Sequence, residues 1–120
     1  MIESRQVTVT GVNAPVTVFK VINTQGYYTE LCNYGASVLS IIVPDRQGKA
    51  DDVLLGYPKL SDHILDGPYL GKTLGRFAGR IAKGKFTLNG QSYQLDINNG
   101  PNHLHGGCLL YTSDAADDKA

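Results

Sequence analysis

Turn signals recur so closely along this chain that only short extended segments fit between most of them. Asn13-Ala14-Pro15, Asn23-Thr24-Gln25-Gly26, Asn33-Tyr34-Gly35-Ala36 and Asp45-Arg46-Gln47-Gly48 punctuate the first half, and Gly67-Pro68, Asn89-Gly90 and Asn98-Asn99-Gly100-Pro101 the second. Pro brings no amide to a ladder, and Gly, Asn and Asp adopt tight-turn conformations, so each cluster ends the segment before it. Breaks at roughly 8 to 12 residues are the rhythm of an antiparallel sandwich or barrel. The intervening segments agree. Val7 and Val9, continuing to Val12, alternate with Thr8 and Thr10, and Val16 and Val18 resume the pattern, as half-buried strands do. Residues 27–32 suit a pleated sheet, 38–43 form an apolar run stopped by Pro44, and Val53-Leu54-Leu55 reads as a short buried strand closed by Gly56. Residues 60–65 allow one helical turn with Ser61 as N-cap before Gly67-Pro68 ends it. No longer helix is predicted, and no internal repeat is visible.

Size and charge narrow the function classes. With 120 residues, the chain is one domain or a piece of a larger one. Lys plus Arg and Asp plus Glu are 11 each, so no net field selects nucleic acid, an anionic membrane or an acidic partner. A neutral solute fits this balance. The N-terminal segment has Glu3 ahead of any basic cluster and no apolar run of signal-peptide length, and no stretch is apolar enough to span a bilayer. A soluble chain without membrane or nucleic-acid partners is expected. Cys32 and Cys108 form neither a disulfide framework nor a zinc knuckle, which points to a reducing cytoplasm.

Polar chemistry gathers in residues 75–107, GRFAGRIAKGKFTLNGQSYQLDINNGPNHLHGG. Asn89-Gly90 supplies the positive-φ pair of a type I′ turn between residues 85–88 and 91–95, a hairpin that offers Phe86, Leu88, Tyr93 and Leu95 for burial. Farther on, extended backbone over 102–107 would put His103 and His105 on one face and Leu104 on the other. Four chemistries compete for these residues. Gly71-Lys72-Thr73 has the end of a phosphate loop, but Gly67 stands one position too close and no strand leads in. His103 and His105 offer two imidazoles to a metal, with His63, Asp96 or Cys32 as a third ligand; against this stand ordinary loop histidines bonded to carbonyls or water. Arg76, Arg80, Lys83 and Lys85 beside Phe77 and Phe86 have the makings of a nucleic-acid strip, or of a solvated basic face. Asn102, His105 and Arg80 have the directional donors and acceptors of a polyol pocket, although an Arg in a strand region pairs as often with a carboxylate or carbonyl.

The same stretch resembles the N-terminal part of the aldose 1-epimerase (galactose mutarotase) family, whose pattern runs close to G-R-x-x-N-R-I-x-x-G-x-F-x-x-x-G-x-x-Y-x-L followed by N-x-L-H-G-G. Asn33-Tyr34-Gly35-Ala36, Pro44-Asp45-Arg46 and Asp52-Val53-Leu54-Leu55-Gly56-Tyr57 are similar to the family in the same order, so the likeness covers about residues 5 to 107. It implies an all-β fold, an antiparallel β-sandwich present as its N-terminal portion over residues 1–107, and interconversion of the α and β anomers of a free aldose such as galactose or glucose. By the resemblance no metal or cofactor is needed: a base takes the anomeric hydroxyl proton and an acid protonates the ring oxygen. The resemblance places that base, a Glu, and that acid, a His, beyond this sequence. Within it, Arg80 and His105 fall at substrate-holding positions, and Gly79 stands where the family has Asn, removing an amide that would bond a sugar hydroxyl.

After Gly107 the likeness breaks off. Residues 108–120, CLLYTSDAADDKA, carry no strand pattern and are expected to be a foreign or disordered tail. On that expectation the chain alone is unstable and inactive. The alternative to an epimerase is a non-catalytic sugar-binding or regulatory relative with the same sandwich, and a relative acting on a phosphorylated hexose would need more cationic residues.

Overall fold

In the computed structural model, which describes residues 1–64 and 69–107, five consecutive strands make one antiparallel meander. They are β1 (Ile2–Val7), β2 (Val16–Ile22), β3 (Tyr28–Cys32), β4 (Ser37–Pro44) and β5 (Ala50–Asp52), hydrogen-bonded in that order. The turns between them are built as their residues suggest. Asn23 Oδ1 accepts the Gln25 and Tyr27 amides at 2.9 and 3.0 Å, and Asp45 Oδ1 accepts those of Gln47 and Lys49 at 2.8 and 2.9 Å. A short carboxyl or carboxamide thereby replaces the ladder partners that a reversing backbone loses. Between Glu30 and Leu31 the β3–β4 register shifts, with Glu30 opposite Ser40 and Leu31 opposite Val38, and this bulge adds twist to the sheet.

The core lies at one end of the meander. Val16 and Val18 alternate inward along β2, Val18 faces Cys32 across the ladder, and Val9, Tyr34 and Ile64 close around them. Each fully buried valine contributes about 2 kcal/mol of transfer free energy, which makes this small cluster the main anchor of its unit. Ile64 belongs to α1 (Leu60–Ile64), the single helical turn that the sequence allows. It begins at Leu60, so Ser61 sits inside the first turn and does not cap it. The expected end of that helix, at residues 65–68, lies outside the described residues.

Two strand expectations need correction. The first strand is Ile2–Val7, and Val9 and Val12 lie beyond its end. The Val12 amide donates to the Val9 carbonyl at 3.1 Å, so the chain turns there and Val9 reaches the core from a turn, outside the ladder. Likewise, Val53-Leu54-Leu55 is not a buried strand. The ladder ends at Asp52, whose Oδ1 accepts the Ile41 and Leu54 amides at 3.0 Å each, and Val53 and Leu55 are 66% and 75% exposed.

The chain divides into two compact units, Met1–Thr73 and Leu74–Ala120. In the second, β6 (Arg80–Ile81) pairs antiparallel with β9 (His103–Leu104), and β7 (Lys85–Leu88) pairs with β8 (Gln91–Gln94). Leu88 lies opposite Gln91, and Asn89 and Gly90 have φ of 52° and 77°, the two-residue hairpin expected of Asn-Gly. Phe86 stacks on Tyr93 at 5.0 Å between ring centroids, a cross-strand pair on one face. Leu88 and Tyr93 stay exposed, so the hairpin buries less than its apolar residues offer. Among the described residues the sheets are antiparallel and there is little helix.

Candidate functional site

The residues that join β6 to β9 form a closely knit polar cluster in the second unit. Arg80 lies opposite Leu104 in the ladder, and one step outward the pairing continues through a side chain. The His105 amide donates to the Gly79 carbonyl at 3.0 Å, while the Gly79 amide donates to His105 Nδ1 at 2.9 Å. His105 has turned out of the strand, with φ of 55°, and this turn brings its ring back over Gly79. Accepting that amide makes Nδ1 the unprotonated nitrogen, so neutral His105 carries its proton on Nε2 and is a donor there. Gly79 itself has φ of 85° with open space where a Cβ would stand.

Three asparagines secure this pair. Asn98 makes both bonds of a strand neighbour to Leu104: its Oδ1 accepts the Leu104 amide at 2.7 Å and its Nδ2 donates to the Leu104 carbonyl at 3.0 Å. Asn99 Oδ1 accepts from Arg80 Nε at 3.0 Å, and Asn102 Oδ1 accepts the Lys83 amide at 3.2 Å. Beyond β9, Gly106 packs so tightly that a Cβ there would come within 1.7 Å of the Gly75 carbonyl oxygen. Arg80 also borders an open cavity of about 810 Å³ whose wall combines Arg76, Phe77, Leu88, Asp96 and His103. Apolar walls with a few convergent polar groups are what small-molecule sites present. His105 is not among the residues that line it.

Several sequence expectations take definite form here. Arg80, His105 and Gly79 are brought together on the β6–β9 pair. The third member of the polyol set, Asn102, has its oxygen engaged by the Lys83 backbone, so it shapes the loop. The shared histidine face is corrected: His103 is buried with Nδ1 2.7 Å from the Asp96 carbonyl, whereas His105 leaves the strand. Their rings engage backbone groups of different segments, Asp96 and Gly79. His63 Nε2 lies 3.1 Å from the Tyr57 amide nitrogen, and Cys32 is buried in the core of the first unit. Among the described residues no three His, Cys, Asp or Glu side chains gather as a metal-binding group.

The Gly71-Lys72-Thr73 segment is structural in the same sense. Its Gly71 carbonyl accepts the Val38 amide at 2.8 Å, Thr73 Oγ1 donates to the Ala36 carbonyl at 2.9 Å, and the Lys72 ammonium donates to the His63 carbonyl. Within the basic strip, the Phe86 ring is engaged by Tyr93 and the Lys83 amide by Asn102. Sequence reasoning missed Asn98 and Asn99, reading residues 98–101 as an irregular turn. Their clustering was the available signal, since asparagine is the side chain that best imitates a backbone pair.

A family model described as aldose 1-epimerase matches residues 17–111. Galactose mutarotase of Sus scrofa is 50% identical over 78 residues, which cover 65% of this chain and 23% of that protein. An aldose 1-epimerase of Lactobacillus helveticus is 35% identical over 85 residues, 71% of this chain and 62% of that one. A crystal structure of a GalM/aldose epimerase homologue from C. elegans superposes with a TM-score of 0.68 at 33% identity, over 78% of this chain and 30% of its own. Galactose 1-epimerase from Lactobacillus acidophilus NCFM superposes with a TM-score of 0.71 at 24% identity, over 93% of this chain and 32% of its own, a likeness of fold. The chain thus spans about a quarter of the length of the mammalian relatives it matches, 23% in the porcine case.

Proposed function

The chain belongs to the aldose 1-epimerase family, and on that premise we propose that its protein interconverts the α and β anomers of a free hexose such as galactose or glucose. The observation that supports the proposal is the pair of reciprocal bonds between Gly79 and His105, which fixes that imidazole on the chain next to Arg80, itself opposite Leu104 on the same short ladder. Both groups are directional donors that suit the lone pairs of hydroxyl and ring oxygens. In this role Arg80 and His105 hold the sugar, and Gly79, where a family member carries Asn, leaves one hydroxyl without an amide partner. Residues 1–107 then form the N-terminal part of the sandwich.

Proton transfer falls to other groups. A base removes the proton of the anomeric hydroxyl while an acid protonates the ring oxygen; the C1–O5 bond breaks, the aldehyde rotates about C1–C2, and the hydroxyl re-adds from the opposite face with the protons returned. The family likeness assigns these roles to a Glu and a His beyond this sequence, and Arg80 and His105 align the sugar with them. Loss of such alignment costs on the order of a hundredfold in rate even when the chemistry is intact. A reducing cytoplasm is the proposed compartment, supported by the buried free thiol of Cys32. No helix among the described residues is long and apolar enough to cross a membrane.

Polarimetry of freshly dissolved α-D-galactose tests the reading. A form of the protein that carries the acid and base accelerates the change in rotation over buffer. No acceleration overturns the epimerase assignment, and galactose binding without acceleration favours the non-catalytic sugar-binding relative.

A further inference from the structure

Of the three asparagine fasteners, Asn98 and Asn102 hold backbone, and Asn99 holds a side chain. Its Oδ1 accepts from Arg80 Nε at 3.0 Å across 19 residues of sequence. Arg80 is exposed and borders the cavity of about 810 Å³. An exposed hydrogen bond of this kind contributes little to stability, about 1 kcal/mol at most. Its effect is on direction. An arginine side chain samples many rotamers, and fixing Nε removes the freedom of the planar group while leaving its two terminal nitrogens as an end-on fork. Two parallel donors on a rigid plane match two oxygens on adjacent atoms better than a single hydroxyl.

We propose that Asn99 is a positioning residue for Arg80, holding Nε so that Nη1 and Nη2 meet two adjacent oxygens of the substrate, a vicinal diol of a neutral polyol. This deepens the substrate-holding role proposed above for Arg80 and rests on it. The backbone of the loop is independently secured by Asn98 on Leu104 and Asn102 on Lys83, so removing the Asn99 carboxamide frees the guanidinium without releasing β6 from β9. Asn99→Ala therefore separates orientation from folding.

The test is the side-chain Nε–H signal of Arg80 in the nitrogen-labelled 120-residue chain. Its exchange with solvent should be roughly fivefold or more slower than that of the exposed Arg46. Asn99→Ala should abolish the difference while the backbone amides of β6 and β9 keep their positions, and Asn99→Asp, which retains the acceptor, should restore it. Equal exchange at Arg80 and Arg46 in the unsubstituted chain overturns the proposal without recourse to any variant, as does a slow Arg80 signal that survives Asn99→Ala. Adding D-galactose to a labelled form of the protein that carries the acid and base supplies the separate arm: the Arg80 signal should shift there and shift several-fold less in Asn99→Ala. A signal that depends on Asn99 but ignores galactose leaves the positioning intact and overturns the substrate reading.

Discussion

Gly79 combines a positive φ with open space, and those two facts predict how it tolerates change. Asn is among the few residues that accept the left-handed region, and here its Cβ would meet nothing within 4 Å. Gly79→Asn should therefore fold normally and raise galactose affinity several-fold, measurable by calorimetric titration. Gly106 is the opposite case. Its φ is 71°, and a Cβ would stand 1.7 Å from the Gly75 carbonyl oxygen, so Gly106→Ala forces backbone apart as well as straining itself. Urea unfolding should show a loss of about 3 kcal/mol or more. Gly90→Ala, also at positive φ but in open space, should lose about 1 kcal/mol. Equal losses at the two positions would show that Gly106 does not pack against Gly75 as described.

Among the elements, β9 shows how little regular ladder a functional segment needs. Two residues pair with β6, and Asn98 completes the other side of Leu104 with a carboxamide in place of a strand. Asn98→Ala leaves the Leu104 amide buried and unpaired, which costs about 2 kcal/mol and should speed Leu104 amide exchange well before the first unit is affected. Asn98→Asp keeps the acceptor and should recover the amide protection in part. The sheet of the first unit follows ordinary rules: Val18→Ala should cost about 2 kcal/mol in thermal or urea unfolding, whereas Val53→Ser, at an exposed position, should cost under about 0.5 kcal/mol. The turns, the hairpin and most strand positions were legible because each depends on a few neighbouring residues. Asn89-Gly90 determines its own backbone, and Asp45 reaches only to Gln47 and Lys49. Val9 and Val53 misled because periodicity marks apolar residues without saying whether a ladder or anything else will cover them.

At the scale of the whole molecule, charge and length govern behaviour. Eleven basic and eleven acidic side chains leave no net charge at neutral pH, and Phe77, Leu88 and Ile97 are exposed in the second unit. Light scattering of the chain should accordingly be greatest near pH 7 and fall as the pH is moved either way. In the form assayed by polarimetry, Arg80→Met should lower kcat/KM by roughly a hundredfold with the circular dichroism unchanged, since its polar contact is exposed and its work is alignment.

By itself, the sequence determined the all-β class, the places where the chain reverses, and, through Gly75-Arg76, Arg80-Ile81 and Leu104-His105-Gly106-Gly107, the likeness to aldose 1-epimerases. These are properties of short stretches read in order. Only the tertiary structure decided which polar side chains have their bonding capacity turned toward backbone and which toward a cavity. Asn102 looked like a ligand and holds a loop; Asn99 looked like a turn and holds Arg80; His103 and His105, two residues apart, bond to groups on different segments. A hydrogen bond is settled by the position of its partner, and across 19 to 26 residues that position is set by folding and not by spacing.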